Sequence, residues 1–269
     1  MSIKLFVTDL DGTLLPSGQK VSAKNIEAVQ KLVKAGVTVT IATGRMYQAT
    51  LPIALSLGVN VPIITYNGAL IKTVEGEIIH ENFIAPETVL SLMEFAEKRN
   101  WHLQTYSDDK LYYAEENKYS KEYEAAVKVK GDAIGWQALK NYKNGVPKLL
   151  VITDNLEQTN ERVGILNTEF ADKVDAFSSN PNYIEITAKG VSKAAAIDIL
   201  AGKLKISKLE TLAIGDSYND LPMLKAAGVS VAMGNAPDNI KEVCTYVTES
   251  CEADGFAKFI IQNFEFLTK

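Results

Sequence analysis

The chain has 269 residues, 46% of them hydrophobic and 23% charged, and a formal net charge of −5. These values are typical of a globular protein with a substantial apolar core, and the length permits one large domain or two smaller ones. Several classes are excluded: no basic run offers a footprint for nucleic acid, two cysteines are too few for a disulfide framework, and no apolar run is long enough to span a bilayer.

The first part of the chain alternates between short apolar strands and helices. Residues 3–8 are an apolar run that ends at Asp9, which is typical of a strand buried on both faces. A helix is expected over residues 23–35, capped by Ser22, and another helix ends at Leu57. Further strands are expected at residues 37–42 and 61–65, with a hairpin over 69–83. This alternation predicts a parallel sheet with helices on both faces.

Residues 85–187 differ from the preceding part in being denser in aromatic and charged residues. Helices are expected over residues 86–99, 117–128 and 156–170, and strands near 102–106, 111–115, 148–153, 174–178 and 183–187. The pattern predicts two strand-rich α/β units that share one mixed sheet, and its length is that of a domain. We therefore predict an inserted α/β domain at 85–187, which separates the two parts, 1–84 and 188–269, of one core.

The strand–helix alternation resumes after residue 188. Ser192 is expected to cap a helix that runs to about Leu204. Strands are then expected at residues 211–214, 229–232 and 246–247, and helices over 218–227 and 255–264. The predicted fold class is therefore α/β, with a Rossmann-like, doubly wound parallel sheet as the core and an α/β domain inserted into it.

Two carboxylates follow the first strand. Asp9 and Asp11 are two residues apart, a spacing that points both side chains to one side of an extended chain, and Gly12 permits a tight turn after them. Close carboxylates favour either a cation between them or a division into acid and base roles. A polar turn with an Asp helix cap is the alternative for so short a motif.

Polar residues also follow other predicted strands. They are Thr43–Arg45, Asn67-Gly68 and Gly215–Asp220, and Lys193 begins the helix that returns to the core. In a parallel sheet such strand ends lie along one edge, so these residues are expected to converge on one crevice. Taken singly, Thr43 and Asp216 fit helix caps and Lys193 fits a solvated helix residue. Their joint occurrence, in this order, favours a functional site.

In this order the segments resemble the four motifs of the haloacid dehalogenase (HAD) superfamily of phosphotransferases. Asp9–Thr13 is similar to the first motif, Thr43 to the second, Lys193 to the third and Gly215–Asp220 to the fourth. The inserted domain is similar to the large α/β cap of the Cof-like, sugar-phosphatase-like branch. Other segments that resemble this branch are Thr43-Gly44-Arg45, Asn67-Gly68-Ala69, Lys189-Gly190 and Met233-Gly234-Asn235-Ala236.

The resemblance implies a Mg²⁺-dependent phosphatase that hydrolyses phosphomonoesters of small metabolites, either sugar phosphates or phosphorylated cofactors. Asp9 would be the nucleophile that forms an aspartyl-phosphate, and Asp11 would be the general acid and then the general base. Thr43 and Lys193 would bind the phosphoryl oxygens. The cap would close over the crevice and select the leaving group.

The resemblance also implies a metal site and further contacts to substrate. Mg²⁺ would be held by the Asp9 and Asp216 carboxylates and the Asp11 backbone carbonyl, with Asp220 supporting this set from behind or through water. The remaining residues expected to hold phosphate or substrate are Leu10, Gly44, Arg45, Asn67 and Asn219.

Two other functions use the same residues. A phosphotransferase or phosphomutase would pass the phosphoryl group to a sugar hydroxyl, and a regulatory phosphoacceptor domain would keep it on an Asp. Receiver domains, which are regulatory phosphoacceptor domains, carry the phosphorylated Asp on a later strand and have no inserted domain. We expect a cytoplasmic protein, because Asp9 and Asp11 interrupt the only apolar stretch near the amino terminus, which is therefore not a secretory signal. We also expect a monomer or homodimer without nucleic-acid or membrane partners.

Overall fold

A computed structural model describes residues 3–16, 20–59, 61–142 and 144–268. The chain divides into two compact units, a core unit of Met1–His80 with Ser192–Lys269 and an inserted unit of Glu81–Val191. None of the helices within the described ranges has both the length and the apolar character needed to cross a membrane.

The helices and strands follow the predicted alternation. In chain order the strands are β1 (Leu5–Thr8), β2 (Thr38–Ile41), β3 (Ile63–Thr65), β4 (Leu70–Lys72), β5 (Ile78–Glu81), β6 (His102–Ser107), β7 (Lys110–Tyr113), β8 (Gly131–Ala133), β9 (Leu149–Ile152), β10 (Val174–Asn180), β11 (Tyr183–Ala188), β12 (Thr211–Gly215), β13 (Val229–Ala232) and β14 (Tyr246–Val247). The helices are α1 (Ala23–Lys34), α2 (Tyr47–Leu57), α3 (Pro86–Lys98), α4 (Lys118–Val127), α5 (Gly135–Leu139), α6 (Leu156–Glu169), α7 (Lys193–Leu204), α8 (Leu221–Ala226), α9 (Asp238–Lys241), α10 (Gly255–Gln262) and α11 (Phe264–Thr268).

The core unit is built on a five-stranded parallel sheet in the order β14-β13-β12-β1-β2. Strand β1 is buried along its whole length, and its side chains alternate between two helical layers. Leu5 and Val7 join the apolar cluster that includes Leu200 of α7, whereas Phe6 packs edge-to-face on Phe256 of α10 at 5.7 Å. The doubly wound α/β core is therefore confirmed.

Strand β3 departs from the simple alternation. It pairs antiparallel with β4 in a separate three-stranded sheet, β3-β4-β5, and meets the end of β2 through the bridge between Ala42 and Ile64. The predicted hairpin is present, and Gly76 turns it with φ +99°. The apolar run over 61–65 indicates a strand, but it does not specify that the neighbour is this hairpin.

The inserted unit contains the predicted mixed sheet, in the order β10-β11-β9-β6-β7-β8. All neighbours in it are antiparallel except β7 and β8. Strand β8 and helix α5 are additions to the predicted elements. Gly131-Asp132-Ala133 carries no apolar alternation, so no periodicity marks it as a strand.

Candidate active site

Asp9 and Asp11 emerge from the same strand into different surroundings. The Asp9 N–H continues the pairing of β1 by donating to the Ile214 carbonyl at 3.1 Å, and its side chain is buried. Asp11 lies in the following turn, where its side chain is 58% exposed. One carboxylate is thus fixed within the protein, while the other is open to solvent and to an incoming molecule.

Lys193 links Asp9 to Asp220, a residue much later in the chain. Ser192 caps α7 by accepting from the Ala195 N–H at 3.1 Å, which places Lys193 at the first helical position. Its Nζ lies 2.6 Å from Asp9 Oδ1 and 2.6 Å from Asp220 Oδ1, and its side chain is fully buried. Burial disfavours the cation, but Asp220 and Asp9 outweigh it and raise the pKa of Lys193. A permanent buried cation therefore holds both acids.

Asp220 shapes the loop that carries Asp216. Its Oδ1 accepts from Lys193, and its Oδ2 accepts from the N–H groups of Asp216 and Ser217, each at 3.0 Å. Gly215 permits this approach, because a Cβ there would lie 2.7 Å from Asp220 Cγ. The turn replaces the first residues of the helix expected over 218–227, and α8 begins only at Leu221.

Asp216 is held from two sides. Its Oδ1 accepts from Thr13 Oγ1 at 3.0 Å, and its Oδ2 accepts from Asn235 Nδ2 at 3.3 Å. Burial, reinforced by Asp220, raises the pKa of Asp216 to about 7, and burial also raises the pKa of Asp9. Charge on these carboxylates is therefore only partly compensated by Lys193.

The carboxylates fit a divalent cation. Asp9, Asp216 and Asp220 each offer an oxygen, and these oxygens lie within 4.8 Å of one another. Carboxylate oxygens are the donors that hard cations prefer, and a cation would offset the burial and the carboxylate repulsion that raise the pKa values of Asp9 and Asp216. Among the described residues, Asp220 accepts four hydrogen bonds, from Lys193, the Asp216 and Ser217 N–H groups and the Ser217 hydroxyl, whereas each Asp216 oxygen accepts one, so Asp9 and Asp216 are the better placed ligands.

In the metal-free protein, the raised pKa of Asp216 makes stability depend on pH. The folded state keeps a proton up to pH about 7, whereas the unfolded state, with an ordinary Asp pKa of about 4, has released it. Proton binding thus favours the folded state, so this group lowers the free energy of unfolding as pH rises from about 4 to 7. Urea titrations in chelator, repeated between about pH 4 and pH 7, should show that the free energy of unfolding falls less steeply with pH in Asp216→Asn than in wild type. The same dependence on pH in both proteins would contradict the raised pKa of Asp216.

Gly12 marks a second tight approach to Asp216. Its φ is +77°, and an added Cβ would lie 2.3 Å from Asp216 Oδ2. We expect Gly12→Ala to lower the free energy of unfolding by at least about 1 kcal/mol and to weaken divalent-cation binding by displacing the carboxylate. Gly36→Ala is the matched control, because Gly36 has a similar φ of +88° with nothing within 4 Å of the added Cβ. Calorimetric titration with Mg²⁺ should show weaker binding by Gly12→Ala than by Gly36→Ala. Equal affinities of the two variants would refute the expected displacement of the Asp216 carboxylate.

The second strand end carries Thr43, Gly44 and Arg45. Thr43 is buried, its N–H donates to the Ile64 carbonyl at 3.0 Å, and its Oγ1 accepts from the Arg45 N–H at 3.2 Å. The Arg45 guanidinium forms a fork on Asp11, with Nε 2.7 Å from Oδ2 and Nη2 2.6 Å from Oδ1. Arg45 was expected to hold phosphate or substrate; in this structure it orients the exposed carboxylate.

Asn67 reaches the same region through an unusual turn. Tyr66, Asn67 and Gly68 have consecutive φ values of +52°, +58° and +106°, and the Asn67 N–H donates to the Thr43 carbonyl at 3.0 Å. Its Oδ1 accepts from Asn219 Nδ2 at 3.4 Å. Its Nδ2 is buried and has no hydrogen-bond partner within the described parts of the chain. A buried orphan donor on a strained backbone is typical of a functional position.

The structure thus places the predicted side chains at one edge of the sheet, with one exception. Leu10 is fully buried, so its side chain belongs to the apolar core. Its backbone carbonyl accepts from the Leu15 N–H at 2.7 Å. Sequence reasoning missed the contacts of Thr13, Ser217 and Asn235. Asn235 follows β13, so the rule used for the other strand ends would have found it.

Comparison with known proteins agrees with this geometry. The family model of haloacid dehalogenase-like hydrolases matches residues 6–260. The chain is 30% identical to phosphatase YwpJ of Bacillus subtilis, over 95% of this chain and 98% of that one. It is 31% identical to 5-amino-6-(5-phospho-D-ribitylamino)uracil phosphatase YcsE of the same organism, over 97% and 95%.

Solved structures show the same likeness. The crystal structure of TM0651 from Thermotoga maritima has a TM-score of 0.84 and 33% identity, over 97% of both chains. A haloacid dehalogenase-like hydrolase from Bacteroides thetaiotaomicron has a TM-score of 0.88 and 30% identity, over 97% of this chain and 99% of that one. The resemblance drawn from the four motifs is confirmed, and the chain belongs to the haloacid dehalogenase-like hydrolase family.

Proposed function

We propose that this chain, a phosphatase of the haloacid dehalogenase-like hydrolases, uses Mg²⁺ and hydrolyses small phosphomonoesters through an aspartyl-phosphate on Asp9. The observation that carries the proposal is the buried Asp9 carboxylate, which Lys193 fixes at 2.6 Å beside Asp216 at the end of β1. A nucleophile needs this combination of a fixed position and a nearby positive charge that offsets repulsion from an anionic substrate.

The reaction divides between the two carboxylates. An Asp9 oxygen attacks phosphorus while the ester P–O bond breaks, and Asp11 gives its proton to the leaving oxygen. Asp11 then takes a proton from water, whose oxygen attacks phosphorus, and the bond to Asp9 breaks to release inorganic phosphate. The exposed Asp11, oriented by Arg45, suits proton exchange, whereas the buried Asp9 suits attack.

Mg²⁺ would be held by the Asp9 and Asp216 carboxylates and by the backbone carbonyl of Asp11. When bound, it supplies positive charge against the phosphoryl oxygens. Asp220 contributes from behind, by orienting Lys193 and the turn at Asp216. This division is supported by the larger number of hydrogen bonds that Asp220 accepts from the protein compared with Asp216.

The phosphoryl oxygens would be bound by donors from four strand ends and from the first residue of α7. We assign this role to Thr43, to Lys193, to the backbone around Leu10 and Gly44, and to the amides of Asn67 and Asn219. Asn67 Nδ2, which has no hydrogen-bond partner among the described residues, supports the assignment, since a buried donor without a partner costs about 1–3 kcal/mol that a phosphate acceptor would recover.

We propose sugar phosphates or phosphorylated cofactors and their precursors as the substrate class. The name of YcsE gives a phosphorylated ribitylamino-uracil as the substrate of that relative. The inserted unit, as a cap domain, would select among such leaving groups.

The reaction is tested by phosphate release from a panel of sugar phosphates, nucleotides, pyridoxal phosphate and flavin mononucleotide. We expect turnover with Mg²⁺, loss of turnover in EDTA, and recovery when Mg²⁺ is restored. Turnover that persists in EDTA would refute the metal requirement. Transfer to an added sugar, in place of phosphate release, would indicate a phosphotransferase.

A further inference from the structure

Asn235 joins two loops of the candidate site that come from opposite ends of the chain. It lies after β13, and its Nδ2 is 2.9 Å from the Gly12 carbonyl oxygen and 3.3 Å from Asp216 Oδ2. One side-chain amide therefore contacts both the turn after Asp11 and the carboxylate of Asp216. Nothing in the proposed reaction yet uses it.

The direction of this amide is fixed by a third contact. Asn235 Oδ1 accepts from the Cys251 N–H at 2.9 Å. A backbone N–H only donates, so the oxygen must face Cys251 and the NH₂ group must face Gly12 and Asp216. Thr13 donates to the other oxygen of Asp216 at 3.0 Å, so each carboxylate oxygen has one donor from a different loop.

We infer that Asn235 is a positioning residue for the Mg²⁺ site, which sets Asp216 and the Asp11-Gly12 backbone in their binding arrangement before the cation arrives. The inference rests on the proposed function, because it takes Asp216 and the Asp11 carbonyl as ligands. Hydrogen bonds that orient metal ligands typically change metal affinity by about 10–100-fold.

The backbone of the Asn235 loop is anchored independently of its side chain. Met233 N–H donates to the Gly215 carbonyl and Gly234 N–H to the Glu249 carbonyl, each at 3.0 Å. Truncation of Asn235 should therefore remove the contacts to Gly12 and Asp216 without moving the loop. Asn239 provides a control nearby, since it is exposed and its Oδ1 accepts a long bond of 3.4 Å from the Tyr218 hydroxyl.

The test is calorimetric titration of MgCl₂ into wild type, Asn235→Ala and Asn239→Ala, followed by phosphate release at saturating Mg²⁺. We expect the dissociation constant for Mg²⁺ to rise by at least about tenfold in Asn235→Ala and to stay at the wild-type value in Asn239→Ala. The kcat of Asn235→Ala at saturating Mg²⁺ should remain within about threefold of wild type. A general structural defect would instead lower kcat even at saturating Mg²⁺.

Wild-type protein that binds Mg²⁺ no more tightly than Asn235→Ala would overturn this inference alone. Wild-type protein that does not bind Mg²⁺ would overturn the proposed metal site and the inference with it. If Asn235→Ala fails to fold, Asn235→Ser gives the same test, because its shorter side chain cannot span both Gly12 and Asp216; unchanged affinity in that variant would also reject the inference.

Discussion

Asp9→Asn should lower phosphate release by at least about a thousandfold, because an amide cannot replace the attacking carboxylate. The fold should persist. The substitution is isosteric, and Lys193 keeps its ion pair with Asp220 at 2.6 Å. It also replaces a carboxylate with a neutral group, at a position where burial disfavours the charge and raises the pKa of Asp9. The measurement is phosphate release with Mg²⁺, with thermal unfolding as the check on folding.

Asp198→Asn is the matched control, since Asp198 is exposed on α7, the helix that carries Lys193. It should retain wild-type turnover. Intact mass spectrometry of acid-quenched wild type should detect a phosphorylated species that Asp9→Asn lacks. Turnover that survived Asp9→Asn in a homogeneous preparation would exclude the covalent route.

Lys193→Met should have the largest effect on stability. It leaves the Asp9 and Asp220 carboxylates buried and close together without the cation that lies between them. Removal of one partner of a buried ion pair typically costs about 3–5 kcal/mol in free energy of unfolding. Turnover should also be lost, because in the proposed reaction the same ammonium offsets substrate repulsion and binds the phosphoryl group.

Urea titration in chelator gives the stability change, and Lys203→Met, an exposed position on the same helix, is its control. The deficit of Lys193→Met should shrink as pH falls, because protonation of Asp9, whose pKa is raised by burial, removes its repulsion with Asp220. A deficit below about 1 kcal/mol, or one that grows in acid, would show that Lys193 does not compensate these acids.

Most strand ends of the core unit were predictable because an apolar run stops at a polar residue that the parallel topology brings to one edge. Asp9, Thr43 and Asp216 follow this rule, and sheet order then determines that they meet. The resemblance to the four motifs gave their expected roles, which spacing alone left open between a cation site, acid–base chemistry and helix caps.

Other features depend on contacts that no local pattern encodes. The division of Asp220 between Lys193 and the Asp216 turn depends on the packing of α7 against α8, which brings together two side chains 27 residues apart in the chain. The left-handed backbone at Tyr66 opposes the preference of a bulky residue, so no propensity predicts it. Asn235 was within reach of the strand-end rule, but its exposed position gives no apolar signal.

The pairing of β1 with β12 has a consequence for synthesis of the protein on the ribosome. Strand β1 emerges early, yet its partner on one side is at Thr211–Gly215, after the whole inserted unit. The inserted unit is continuous in sequence, so it can complete its own sheet first. The side chains that lie beside Asp9 in the folded protein, Lys193, Asp216 and Asp220, are synthesised after it. A chain that ends before residue 211 therefore carries Asp9 without its neighbouring strand β12 and without Asp216 and Asp220, so the candidate site can assemble only after the inserted unit has been synthesised.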